Sequence, residues 1–316
     1  MTAILTVKNF SKNFRSHWTF RSAPAVKDIS FAVNEGECFG FLGHNGAGKT
    51  TTIKSLLGLI SKTKGEFLFY DQPLNSAAQR SVFGYLPEQP YFYEHLTVEE
   101  TLLFFGALHN IPKPELKQRC SQVLELLGIA DRAKNPIRTL SKGLQQRLGI
   151  AQAIINRPRL LFLDEPFSGL DPVGRKEIRQ LITNLNKEGT TIFLSSHILS
   201  DVENMCQRAA ILARGELKTI VQLKGQNADW TNGKFALTIV QHEQLAAFIQ
   251  AHPEICTPLQ RDDLVYSSAL TMVFTDYKQS VAALQDAISR GLTIQAFAEE
   301  RPSLEDVFVS IVEGIK

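Results

Sequence analysis

The chain has 316 residues, of which 44% are hydrophobic and 21% charged, with a formal net charge of +2 at pH 7. That length allows two domains around a sizeable core, and the balance is that of a soluble globular protein, not a disordered or fibrous one. No run of 18 or more apolar residues is present, which excludes a membrane-spanning helix as an expectation. The scattered cysteines (Cys38, Cys120, Cys206, Cys256) form no C-x-x-C pair, so they read as small core hydrophobes of a reducing compartment.

In chain order, the N-terminus from Met1 to Lys8 alternates like a strand and lacks the charged start and apolar stretch of a signal peptide. Strands are expected at Ile4–Val7, Val26–Val33, Cys38–Leu42, Glu66–Tyr70, Val82–Leu86, Leu160–Leu163, Thr191–Leu194, Ala209–Ala213 and Glu216–Ile220. Between residues 97 and 157 the pattern becomes helical. Leu116, Cys120, Val123, Leu124 and Leu127 form one apolar stripe, and Gly128 is placed as a helix stop. An α/β core interrupted by a helical insert follows.

A polar stretch from Gln222 to Asp229 reads as a linker, which divides the chain into residues 1–223 and 224–316. Charge divides there too: 27 Lys+Arg against 20 Asp+Glu before the boundary, 7 against 12 after it. The second part reads as strand (Phe235–Val240), helix (Gln244–Ala251), strand (Ala269–Phe274), helix (Tyr277–Ser289), strand (Thr293–Ala298) and a final helix. Ser303 and Asp306 are placed as the capping box of that helix, and Leu304, Val307, Phe308, Ile311 and Val312 as its apolar face. The face is expected to bury itself against its own sheet or a second subunit. The unit is a small α+β domain.

Residues Gly43-His44-Asn45-Gly46-Ala47-Gly48-Lys49-Thr50 complete a G-x-x-x-x-G-K-[ST] loop between an apolar strand and a helix that continues through Thr51. Glycines let the backbone N–H groups turn inward, and the helix N-terminus adds positive potential for an anion. Lys49 is placed at the β- and γ-phosphates of a nucleoside triphosphate, and the Thr50 hydroxyl on Mg²⁺. Downstream, Leu160–Leu163 leads into Asp164-Glu165. Asp164 is expected at the magnesium, and Glu165 as the base or positioning group for the attacking water. Ser141, in Leu140-Ser141-Lys142-Gly143-Leu144-Gln145, is placed as a helix N-cap able to meet an anion, although an ordinary capped helix reads the same way.

Taken together, residues 1 to about 220 resemble the ATPase subunit of an ATP-binding cassette (ABC) transporter. Gly43–Thr50 matches its Walker A loop, Leu160–Glu165 its Walker B strand and catalytic glutamate, and Leu140–Gln145 its LSGGQ signature. Ser168-Gly169-Leu170-Asp171 looks like the D-loop, His197 stands where the switch histidine is expected, and Phe14 where an aromatic stacks on adenine. The chain departs from the family at Lys142, which replaces the signature's first glycine and is expected to bring charge near the triphosphate and alter activity. It departs again at Glu88, where the family carries a glutamine, so either Glu88 or Gln89 is expected at the metal. The tail from Arg301 to Phe308 is similar to that of ABC ATPases serving export permeases.

The resemblance implies a P-loop fold with a helical subdomain and an ATPase using ATP and Mg²⁺. It also implies a head-to-tail pair of subunits, expected to be identical, sandwiching each ATP between Walker A of one and the signature of the other. Hydrolysis would involve Lys49, Glu165 and His197, and the work would pass to a membrane permease for export, through the helical insert and the segment around Glu88–Tyr93. The protein is then expected at the cytoplasmic face of the cell membrane, held by that permease, with no nucleic acid as partner. A nucleic-acid- or ribosome-directed ABC ATPase is the alternative. It is disfavoured by the single cassette and by the lack of zinc spacing or sustained heptads. A P-loop kinase would leave the signature and His197 unexplained.

Overall fold

The computed structural model describes residues 2–15, 22–223, 234–240, 248, 269–274, 276–300 and 304–313. It separates into two compact units, Met1–Asn227 and Ala228–Lys316.

The first unit begins with long antiparallel strands β1 (Ala3–Arg15) and β2 (Ser22–Asn34), which join β4 (Lys64–Phe69) and β5 (Gln72–Pro73) in the order β2-β1-β4-β5. Tyr70, expected in a strand, instead forms a two-residue turn with Asp71, both at positive φ (45° and 59°). Such a turn matches the twist of a tight hairpin, and no Asn-Gly signal announced it.

The second sheet is built from β3 (Cys38–Gly43), β6 (Phe83–Leu86), β7 (Leu160–Asp164), β8 (Thr191–Ser196), β9 (Arg208–Ala213) and β10 (Glu216–Gln222), in the order β10-β9-β3-β8-β7-β6. All pairings are parallel except β9 with the edge strand β10. Strands β3, β7 and β8 are buried along their whole length, which explains their continuous apolar runs where a half-exposed strand would alternate. Phenylalanines of these strands pack at tilted angles with one another and with Phe31 of β2. Phe31 lies 5.4 Å from Phe41, Phe41 5.0 Å from Phe193, and Phe193 5.4 Å from Phe162. This core lies beneath α1 (Lys49–Leu56), whose Ile53 and Leu56 belong to it.

Between β6 and β7 stands the helical insert: α3 (Val98–Leu108), α4 (Lys113–Leu126) and α5 (Lys142–Ile154), preceded in the chain by the short α2 (Ala77–Arg80). Thr97 and Glu100 close a capping box on α3. The stripe on α4 is buried as expected, and Gly128 takes φ +62° just past its end, the left-handed stop that glycine accepts without strain. Two further helices, α6 (Pro172–Lys187) and α7 (Leu199–Met205), flank β8 in sequence.

In the second unit, β11 (Lys234–Val240) pairs antiparallel with β12 (Ala269–Phe274) and β13 (Ile294–Glu300) in the order β12-β11-β13. Helix α8 (Tyr277–Ser289) packs Ala283 and Ala287 on this sheet with Leu237, Ile239, Phe248 and Met272. The final helix α9 (Leu304–Glu313) buries Leu304 and Phe308. Trp18, Phe20, Ser303, the side chains of Asp306 and Val312, and the Gln244–Ala251 segment apart from Phe248 lie outside the described residues. Cys38, Cys120 and Cys206 are buried, and burial pushes the Cys120 thiol up to about 11, consistent with an inert core residue. Cys256 also lies outside the described residues.

Candidate functional site

The phosphate loop leaves the carboxyl end of β3 and enters α1, the position where parallel α/β sheets bind ligands. Gly48 is the helix N-cap at φ +106°, and a Cβ there would lie 2.8 Å from the Ala25 carbonyl oxygen. Only glycine meets both demands. No side chain caps α1, so its first N–H groups remain available to an anion. Ala25, His44, Asn45, Gly46, Gly48, Lys49, Thr50, Thr51, Glu88 and Glu165 line a cavity of about 250 Å³. Gln89 is not in that lining, and Ala25 is a contributor the sequence did not single out.

Lys49 is almost fully buried, and its ammonium donates to the Gly43 carbonyl (2.6 Å) and lies 3.0 Å from Glu165 Oε1. Thr50 Oγ1 donates to Asp164 Oδ1 at 3.2 Å, and Ser195 Oγ donates to the same oxygen at 2.6 Å. Ser195 also accepts from the Glu165 backbone N–H at 3.1 Å, so one hydroxyl holds both carboxylate residues. In the sequence Ser195 merely follows the expected strand Thr191–Leu194; the register of β8 with β7 sets it opposite Asp164. Burial raises the Asp164 pKa, opposed by the bonds from Ser195 and Thr50; Glu165 adds to the rise and Lys49 counters it. Its Oδ2 is buried and makes no hydrogen bond.

Glu165 adopts φ +49°, a conformation rare for a non-glycine residue and frequent at functional positions. Its Oε2 lies 2.7 Å from His197 Nδ1 and also accepts from the His197 backbone N–H at 3.3 Å. A carboxylate only accepts, so the imidazole proton sits on Nδ1. His197 is 48% exposed, so it is a surface residue of the site and not part of the core.

Ser141 caps α5 as expected, accepting from the Leu144 N–H at 3.4 Å. It lines a different cavity, about 520 Å³, with Lys142, Gly143, Leu144, Gly169, Leu170 and Asp171 among its walls. Gln145 turns back to the Leu140 carbonyl (3.3 Å), and Gln146 ties α5 to the Pro166 carbonyl (2.8 Å) just past the carboxylate pair. The Lys142 ammonium folds onto Gly169, where a Cβ would come within 1.8 Å of it. Ser168 N–H bonds back to the Glu165 carbonyl (3.0 Å), and Asp171 caps α6 through the Gly174 N–H (2.7 Å). Phe14 is 45% exposed on β1, opposite Ala23, with the Lys12 ammonium 4.9 Å from its ring centre.

The sequence model of the family described as ABC transporter matches residues 26–168. An uncharacterized ABC transporter ATP-binding protein of Synechocystis is 39% identical over 95% of this chain and 82% of its own length. This chain belongs to the ABC transporter ATP-binding family. Among other members, the bacitracin transport ATP-binding protein BcrA of Bacillus licheniformis is 35% identical over 93% of this chain and 94% of its own. The solved structure of cbiO1 from Clostridium perfringens, part of the ABC transporter complex cbiONQ, superposes with a TM-score of 0.63. It is 27% identical and covers 71% of this chain and 90% of that one. The ABC subunit is therefore a nucleotide-binding ATP hydrolase with a P-loop fold, of a kind that dimerises and pairs with a transmembrane permease. No helix among the described residues is long and apolar enough to cross a membrane.

Proposed function

We propose that two copies of this subunit sandwich ATP and drive export through a membrane permease at the cytoplasmic face of the membrane. One observation carries the reading: the phosphate loop and the signature line two cavities that share no residue. A second subunit would bring Ser141 and Gly143 to the triphosphate held by Gly43–Thr51. Phe14 supplies an aromatic face for the base, and the D-loop from Ser168 to Asp171 meets the other copy. In this division of labour residues 1–223 form the ATPase domain, with its helical subdomain near 97–157, and residues 224–316 an accessory domain.

The oxygen donors suit Mg²⁺: a hydroxyl on Thr50, the nearby Asp164 carboxylate with an unbonded buried oxygen, and Glu88 on the cavity wall in preference to Gln89. Bound there, the ion would neutralise phosphate charge. Lys49 exchanges Glu165 for phosphate oxygens when nucleotide arrives. Glu165 then takes the proton of the attacking water, while His197 holds its second oxygen in place. Two supports favour export: the resemblance of the Arg301–Phe308 tail, and the bacitracin transport relative. Tyr91, Tyr93, Phe104 and Leu108 are exposed, with the Tyr93 and Phe104 rings 6.1 Å apart, and offer apolar contacts to the permease, while Phe92 packs inside.

Ser141→Arg tests the sandwich. ATP binding should persist while turnover and ATP-dependent dimerisation are lost, and mixing with Lys49→Ala should recover activity through one intact composite site. Wild-type turnover by Ser141→Arg alone would sink the reading. Detergent extraction and pull-down should recover a multi-spanning protein; recovery of RNA instead would refute export.

A further inference from the structure

Helices α6 and α7 start at two loops of the site: α6 at the D-loop residue Asp171, and α7 two residues after His197. Asp201, in the first turn of α7, is only 3% exposed. Its Oδ1 lies 3.3 Å from Arg179 Nη1 on α6, whereas Oδ2 is buried without a hydrogen bond. One helical turn nearer the D-loop, Arg175 Nε donates to the Leu170 carbonyl at 3.2 Å. Burial raises the Asp201 pKa, and Arg179 and Arg175 on α6, with His197, pull it down, so side chains from α6 and from just ahead of α7 act on one carboxylate.

A buried ion pair is weak evidence for stability, because an apolar pair of similar volume often folds as well or better. Here the carboxylate is incompletely bonded, which makes a purely stabilising role weaker still. What the pair does achieve is registry: it couples the helix that begins in the D-loop to the helix that begins behind His197. We propose that Asp201 is a positioning residue for hydrolysis, which locks α6 to α7 so that the Glu165–His197 contact depends on the placement of the D-loop. The proposal rests on the roles of Glu165 and His197 given above.

Asp201→Asn, which keeps the shape and removes the charge, tests it in the full chain. We expect kcat for ATP to fall about tenfold with KM, and the affinity for a fluorescent ATP, held within about twofold. Arg179→Gln should reproduce the effect from the more exposed partner, even should the aspartate variant misfold, and Arg179→Lys should restore part of it. If Asp201 acts through the D-loop, Asp171→Ala/Asp201→Asn should be no slower than Asp171→Ala by more than about twofold, since residues in one chain of contacts are not additive. Unchanged kcat per folded molecule with a lowered Tm, or losses that multiply in the double variant, would overturn the proposal. Glu165→Gln serves as the control: persistent turnover there would refute the underlying site assignment, independently of Asp201.

Discussion

Glu165→Gln separates binding from chemistry, because in this structure Glu165 holds two functional groups at once. Its Oε1 lies 3.0 Å from the Lys49 ammonium and its Oε2 2.7 Å from His197 Nδ1. Both members of the lysine pair are more than nine-tenths buried. At an effective dielectric of about 20, unit charges at that separation attract by roughly 5.5 kcal/mol. Lys49 keeps its bond to the Gly43 carbonyl and glutamine keeps an acceptor oxygen, so the net loss in the nucleotide-free fold should be smaller, about 3 kcal/mol. For a unit of this size that lowers Tm by about 6–12 °C. ATP supplies the lysine with phosphate oxygens, so the variant should gain more Tm from ATP than the parent does, by a comparable amount. Losing the base should cut turnover by about 10²- to 10⁴-fold, leaving ATP bound and the dimer trapped. Thermal melts with and without Mg-ATP, phosphate release and size-exclusion chromatography read these effects. Unchanged turnover, or an ATP-induced gain no larger than that of the parent, would falsify the argument.

Asp164→Asn should abolish magnesium-dependent turnover while stabilising the nucleotide-free fold. A carboxyl whose pKa is raised on folding costs no stability below its unfolded value near about 4, and the cost builds as pH rises through the folded value. The Tm advantage of the variant should therefore be fully present near neutrality and vanish on acidification; a variant melting below the parent at pH 7 contradicts this. Lys49→Ala should lose fluorescent-ATP binding outright. Tyr91→Ala/Phe104→Ala should leave ATPase activity of the isolated subunit intact and reduce recovery of the permease in pull-downs, because both rings are exposed. A fragment spanning residues 1–227 should melt cooperatively and bind ATP, since that unit is compact by itself.

Much of the site was legible because its chemistry is local. Gly43–Thr50 must be contiguous to wrap a phosphate, and its glycines answer to backbone conformation at known positions, as Gly48 at φ +106° demonstrates. Ser141 as a helix cap and Gly128 as a helix stop are equally short-range consequences of unsatisfied backbone groups. The Tyr70–Asp71 turn was not legible because it lacks a glycine, and the aromatic Tyr70 rarely takes left-handed backbone even though Asp71 tolerates it.

By itself, then, the amino-acid order carried the motifs that resemble the family, the strand–loop–helix frame and the identity of the charged groups, since each motif and element is written in a short contiguous stretch. Tertiary structure alone decided which partners those groups meet. Ser195 bridging Asp164 and Glu165, Lys142 resting on Gly169, and Asp201 reached by Arg179 join positions 22 to 31 residues apart. Such contacts depend on strand register and helix packing, which arise from burial summed over the whole core.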